Sequence, residues 1–432
     1  MKLFGTQKIN KYGHLEIGGC DVVELAKEFS TPLYILDEEL IRKNCKTYLK
    51  EFQKRVKNFA VVYAGKANIS VGICQIMKEE GLFLDVVSGG EIYTALKTKF
   101  PTEKIFFHGN NKSKEEIIFA LKNNIGRIVV DSEDELEILQ EIAKKFNKKQ
   151  KILLRVTPGI KPKTHTYIQT GQIDSKFGLG IDNGEALRVI EKIKNFENLF
   201  LTGIHCHIGS QIFELKSFEI AAKIMIEFRE KIREKIGFYL EEVNLGGGLG
   251  IRYTEDDNPP SISQYVDVIT KSVKDTCKKF SSPLPKIIVE PGRSIIGEAG
   301  ITAYTVGVIK EIPGIRKYVV VDGGMADNPR PALYSAKYQA IIANKANKER
   351  EEIVSIAGKC CESGDILIQE IKLPKVERGD ILVVFSTGAY NYSMASNYNR
   401  LPRPATVLVK NGRAKLLVKR ESYQDLVRNE LI

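Results

Sequence analysis

From residue 59 onward the chain repeats one pattern: a short run rich in Val, Ile, Leu and Phe, a turn bearing Gly or Ser, then apolar residues at helical spacing. The runs are Phe59 to Tyr63, Leu82 to Val87, Lys104 to His108, Arg127 to Asp131, Lys151 to Val156, Leu201 to His205, Glu241 to Leu245 and Lys286 to Glu290. Eight such runs alternating with helices predict an α/β fold, a closed parallel (β/α)8 TIM-like barrel.

Beyond Glu290 the pattern changes. Runs at Ile301 to Ile309, Lys317 to Val321, Glu352 to Ile356, Ile366 to Ile371 and Ile381 to Phe385 follow one another with few helical stretches between them. Asn411-Gly412, between Thr406 to Val409 and Ala414 to Val418, is the pair that a two-residue hairpin prefers. These features predict a mainly antiparallel C-terminal β domain that ends in a short helix near Ser422 to Leu431. At the other end, Asp21-Val22-Val23-Glu24 reads as a capping box opening a helix that Ser30-Thr31-Pro32 stops. The expected boundaries are therefore 1–32 for a segment contributing to the β domain, 33–294 for the barrel and 295–432 for the β domain, without a low-complexity linker.

Composition narrows the function classes. The 432 residues are 43% hydrophobic and 28% charged, as in a soluble enzyme, and the length allows two domains. The net charge of +11 is spread through helical stretches beside glutamates, as in Glu191-Lys192-Ile193-Lys194, and no nucleic-acid recognition motif accompanies it. No nucleic-acid partner is expected; a small anionic ligand is favoured by the field. Met1 to Asn10 lacks the apolar core of a signal peptide, and no apolar stretch approaches the roughly 20 residues of a membrane span. A cytoplasmic protein without membrane contact is the expectation. Seven cysteines at irregular positions do not make a disulfide framework.

On a barrel of this kind the chemistry sits where strands end. The first run ends at Tyr63-Ala64-Gly65-Lys66-Ala67-Asn68, presenting one lysine. Among apolar neighbours such a lysine loses hydration of its charged form, its pKa falls, and the free amine becomes a nucleophile for carbonyl compounds. The alternative is a lysine that merely reaches out to water. Other runs end at Ser88-Gly89-Gly90-Glu91, His108-Gly109-Asn110-Asn111-Lys112, Arg155 and His205-Cys206-His207-Ile208-Gly209-Ser210. The seventh ends at Gly246-Gly247-Gly248, either a tight turn or a cradle whose amides approach a phosphate. The eighth ends at Glu290-Pro291-Gly292-Arg293, where the carboxylate either pairs with Arg293 or meets a protonated ring nitrogen. His205 and His207 suggest a metal, but with five histidines in the chain no further ligand set is evident, and no metal is expected. An imidazole there serves equally to stack on an aromatic cofactor.

The β domain adds Arg330-Pro331-Ala332-Leu333-Tyr334, Cys361-Glu362-Ser363-Gly364-Asp365 and Gly388-Ala389-Tyr390. Together with Tyr63-Ala64-x-Lys66-Ala67-Asn68, His205-x-His207-Ile208-Gly209-Ser210-Gln211, Gly246-Gly247-Gly248 and Glu290-Pro291-Gly292-Arg293, these closely resemble the diaminopimelate decarboxylase family. The resemblance runs from about residue 12 to beyond residue 400 and implies an alanine-racemase-like barrel binding pyridoxal 5'-phosphate. It also implies a homodimer with active sites shared at the interface. By position it makes Lys66 the imine lysine, Glu290 the partner of the ring nitrogen and His205 the residue under the ring. Ser210, Gly248, Gly292, Arg293 and Tyr390 would hold the cofactor. Arg293, Arg330, Tyr334, Glu362 and Tyr390 would bind substrate, and Cys361, from the partner chain, would donate a proton. Gly65 and Thr157 depart from the pattern, standing where a bulkier residue and an Asn are expected.

The implied reaction is decarboxylation of meso-diaminopimelate to L-lysine, the last step of lysine biosynthesis. A ring protonated through Glu290 accepts the electron pair left by carbon dioxide, whereas racemases of this fold place an arginine there. Arginines on a departing carboxylate would stabilise the ground state, so Arg293 and Arg330 more sensibly hold a carboxylate that stays. A decarboxylase of a polyamine pathway, acting on carboxynorspermidine, ornithine or arginine, is the alternative. A non-catalytic pyridoxal-phosphate carrier and a metal hydrolase are further rivals.

Overall fold

The computed structural model describes residues 3–160 and 175–432, and these form two compact units. One holds Cys45–Gly250 and Pro259–Gly292; the other holds the chain up to Asn44, Ile251–Asn258 and Arg293–Ile432.

The first unit is the barrel. Its strands are Phe59–Ala64, Phe83–Val86, Ile105–Phe107, Arg127–Val130, Gln150–Thr157, Leu199–His205, Glu242–Asn244 and Lys286–Val289. Each pairs in parallel with the next, and the ring closes where Ile288 pairs with Ala60. Inside it Ala60, Val62, Phe106, Val129, Leu153 and Ile288 form one buried layer. Filling a barrel with such branched and aromatic side chains contributes about 1.5–3 kcal/mol each. Serines open the helices that follow the strands: the Ser70, Ser88, Ser113, Ser132 and Ser261 side chains each accept from the amide three residues on. After the first four strands the capping serine follows closely on the strand end, so strand gives way to helix within a short turn at one rim.

The second unit is built on a sheet in the order Ile366–Leu373, Glu352–Ala357, Arg316–Val321, Gly300–Ile312, Leu33–Asp37, Ala405–Lys410, Arg413–Val418. Two of its pairings are parallel, Arg316–Val321 with Glu352–Ala357 and Leu33–Asp37 with Ala405–Lys410; the rest along that path are antiparallel. The Asn411-Gly412 hairpin forms as expected, with φ of +50° and +72°.

Two expectations change. Leu33–Asp37 is a strand of the β unit, pairing with Gly300–Ile312, so the division falls after Asn44, not before Leu33. The earlier residues form a small sheet of their own, Lys8–Ile9, Leu15–Ile17 and Cys20–Asp21, whose Leu15 and Ile17 join the apolar cluster around Ile35 and Val407. Asp21 caps its helix by accepting from the Val23 amide, but Glu24 does not complete the box: it meets Lys27 at 2.7 Å. A lysine one turn along the helix offers the carboxylate a full opposite charge. Among the described residues no helix is long and apolar enough to cross a membrane.

Candidate active site

Glu290, directly after the eighth strand, is buried and surrounded by donors from three other strands. Asn244 Nδ2 donates to its Oε1 at 2.6 Å, and His205 Nε2 lies 3.1 Å from Oε2. His108 Nε2 stands 2.9 Å from Oε1, an ion-pair distance with the ring N–H off the line to the oxygen. The two imidazoles meet edge to face, centroids 4.8 Å apart. Burial by itself would raise the Glu290 pKa; the charge of His108 and the hydrogen bond from His205 outweigh it and hold the carboxyl well below its ordinary value. Burial pushes His205 down to about 4 despite Glu290, so this ring is neutral. A neutral ring facing a carboxylate must carry its hydrogen on Nε2, which leaves Nδ1 bare; that atom is buried without a hydrogen-bond partner. For His108 burial also opposes charge, but the carboxylates of Asp85 and Glu290 prevail and raise its pKa.

This cluster corrects the reading of the histidines. The sixth strand stops at His205, and His207 turns aside to accept from the Gly247 amide at 3.3 Å. The companion of His205 is His108, from the third strand. His108, His205 and Glu290 bring their ligand atoms within 4.8 Å of one another, a three-ligand set that the sequence did not disclose.

Lys66 lies on the single turn Gly65–Ala67 that follows the first strand. The apolar surround expected for it is not found in the chain: its side chain is exposed while Ala64, Gly65 and Ala67 are buried. The small residues beside it have a different purpose. A Cβ on Gly292 would stand 3.0 Å from the Cβ atoms of both Ala64 and Ala67, so the stretch after Glu290 rests directly on the turn carrying Lys66. Gly65 likewise admits no side chain, because its Cβ would meet the Asp85 carbonyl oxygen at 2.7 Å. Thr157, the other departure, is buried at the end of the fifth strand.

The glycine run is packed as tightly. A Cβ on Gly246 would meet the Cys206 carbonyl at 2.5 Å and one on Gly248 the Gly209 carbonyl at 2.5 Å; one on Gly247 would strike the Glu290 carbonyl. Gly246 and Gly248 also have φ of +65° and +120°, which disfavour other residues. Ser210 sits in the adjoining loop, where Ile212 bridges to Leu249.

In the β unit two buried arginines share an aromatic neighbour. Arg293 Nη1 bonds to the Tyr253 hydroxyl, and the Arg330 guanidinium lies over the Tyr253 ring at 4.8 Å. Arg330 Nη1 also donates to the Tyr338 hydroxyl at 2.6 Å. Arg293 lies over the Tyr390 ring at 4.6 Å, and Tyr390 has φ of +65°. Tyr334 ends the short helix that Arg330 begins. Cys361 and Glu362 are exposed in the loop between Glu352–Ala357 and Ile366–Leu373. Cys360, the neighbour of Cys361, is buried, and burial and Asp365 push that thiol up to about 12. Tyr253 and Tyr338 carry no sequence signal, being single tyrosines outside any motif.

Against known proteins, the family described as pyridoxal-dependent decarboxylase, pyridoxal binding domain, matches residues 38–297. The diaminopimelate decarboxylase of Bacillus subtilis (strain 168) is 52% identical over 431 residues, which cover 100% of this chain and 98% of that one. The chain belongs to the diaminopimelate decarboxylase family. A solved member, the Methanocaldococcus jannaschii diaminopimelate decarboxylase in complex with L-lysine, is 39% identical with a TM-score of 0.92, over 99% of this chain and 98% of the other. The Helicobacter pylori diaminopimelate decarboxylase, also solved with L-lysine, is 33% identical with a TM-score of 0.86, over 95% and 99%. As a diaminopimelate decarboxylase the chain is a pyridoxal-phosphate-dependent lyase of lysine biosynthesis.

The residues present fit that cofactor. A pyridinium needs an ionised carboxylate, which Glu290 would supply, and a flat neutral ring such as His205 would suit its face. The turn Gly246-Gly247-Gly248 carries no side chain, and its backbone amides would hold the phosphate.

Proposed function

We propose that this chain converts meso-2,6-diaminopimelate to L-lysine and carbon dioxide, in the cytoplasm and as a homodimer. The observation that carries the reading is the Glu290 carboxyl, kept ionised in a buried site by two imidazoles. Bound pyridoxal phosphate supplies a carbonyl for the substrate amine and a ring that takes up the electron pair left when carbon dioxide departs. Glu290 keeps the proton on the ring nitrogen, which favours decarboxylation over racemisation. Lys66 provides the amine that retains the cofactor, and the neutral His205 covers one ring face.

The buried guanidinium groups of Arg293 and Arg330 are assigned to the substrate carboxylate that remains, with Tyr334 and Tyr390 beside it and Glu362 on the distal amine. Ornithine and arginine lack that second carboxylate. The bond from the α-carbon to its carboxyl carbon breaks, and the Cys361 thiol of the partner chain delivers a proton to the α-carbon. Exposure of Cys361 in the single chain is what such a shared site requires.

Carbon dioxide and lysine formation by the purified protein with pyridoxal phosphate tests the reading. Release from meso-diaminopimelate should exceed that from ornithine, arginine or carboxynorspermidine by at least about a hundredfold. Equal release from any of these overturns the substrate assignment. Because His108, His205 and Glu290 also form a possible metal set, turnover is followed with a chelator present; loss of activity restored by a divalent metal would favour a metal enzyme instead.

A further inference from the structure

Asn244, the last residue of the seventh strand, is fully buried and makes two side-chain bonds of opposite kind. Its Nδ2 donates to Glu290 Oε1 at 2.6 Å, and its Oδ1 accepts from the Gly246 amide at 3.0 Å. A third bond closes the figure, for the Glu290 amide donates to the Gly246 carbonyl at 2.8 Å. The carboxylate can only accept and the amide can only donate, so the bridging side chain needs one donor and one acceptor at adjacent positions. A carboxamide of this length meets that demand. Aspartate would present an oxygen to Glu290, and leucine would satisfy neither partner.

We propose that Asn244 is a positioning residue that locks the Glu290 carboxylate to the glycine run, fixing the ring-nitrogen contact and the phosphate cradle of the cofactor as one rigid piece. The inference rests on the reading that Glu290 meets the ring nitrogen. Glu290 has three rotatable side-chain bonds, and the His108 and His205 rings reach its carboxylate from the third and sixth strands. Asn244 supplies the tie between the carboxylate and that turn.

The test titrates apoenzyme with pyridoxine 5'-phosphate, which has the ring and phosphate but no aldehyde, so Lys66 chemistry does not enter. Asn244→Ala should weaken binding about ten- to hundredfold, the range for losing a hydrogen bond to a charged group. In a Glu290→Gln background the same change should cost less than about threefold, because the carboxylate it acts through is gone. Should the alanine variant not fold, Asn244→Asp takes its place: it keeps the Gly246 bond but sets a carboxylate against Glu290, so its loss should be large in the parent and largely relieved by Glu290→Gln. Equal losses in both backgrounds would make Asn244 merely structural and overturn the proposal while leaving Glu290 in its role. If Glu290→Gln binds the probe as tightly as the parent, the ring-nitrogen reading fails, and the proposal with it.

Discussion

Two imidazoles on one carboxylate respond to pH with opposite signs. His205 is held at about 4, below its ordinary 6.5, so the unfolded chain binds the extra proton first. Stability from this group is complete above the unfolded value and drains away as pH falls from about 6.5 to 4, by up to roughly 1.4 kcal/mol per unit. His108 is raised, so its contribution is full below the unfolded value and is lost as pH rises through the folded one. Asp85, Arg155 and Glu290 are the charged groups facing them. His205→Gln, which keeps a donor toward Glu290, should therefore flatten the acid limb between pH 6.5 and 4 relative to the parent. Urea unfolding midpoints across that range check it; an unchanged limb would mean that His205 is not held neutral. At this scale the sequence placed Lys66, His205 and Glu290 at strand ends, where the structure has them, because the ends of apolar runs are predictable. It did not disclose His108, Asn244 or Tyr253 as partners, because their contacts join strands or loops distant in the chain. The exposure of Lys66 was missed for a related reason: an apolar neighbour in sequence is not one in space.

Among the elements, the third and fourth β/α units are riveted by one buried lysine. Lys112 Nζ, almost fully covered, donates to the Gly109 and Val129 carbonyls at 2.7 and 2.8 Å and to Glu135 at 2.6 Å. Glu135 in turn accepts from the Asp131 amide at 3.0 Å. Removing one partner of a buried pair strands the other charge, so Lys112→Ala should cost about 3–5 kcal/mol in chemical unfolding. A loss under about 1 kcal/mol would show the pair to be solvated in practice. The strands themselves were legible to within a residue or two, since fully buried parallel strands read as continuous apolar runs. What that pattern lacks is an address. Leu33–Asp37 looks like any barrel strand, and only its long-range pairing with Gly300–Ile312 and Ala405–Lys410 assigns it to the other sheet.

For the whole molecule, the assembly is the testable issue. In a homodimer with shared sites, a Cys361→Ala chain and a Lys66→Ala chain complement each other. One of the two sites in every hybrid then carries both residues, so random mixing should restore about a quarter of parental activity. No recovery from dimers of confirmed mixed composition would place both groups in one chain. Cys361 was singled out in the sequence by its neighbours Glu362, Ser363 and Gly364; that it is the exposed member of the Cys360-Cys361 pair needed the loop geometry. A last consequence lies in the turn after the seventh strand. Gly246, Gly247 and Gly248 are each blocked by a carbonyl oxygen of an adjoining barrel segment, so this turn is wedged between its neighbours with no room for a side chain at any of the three positions. A library randomising those three codons should return little but the parental triplet, even when selected for folding alone.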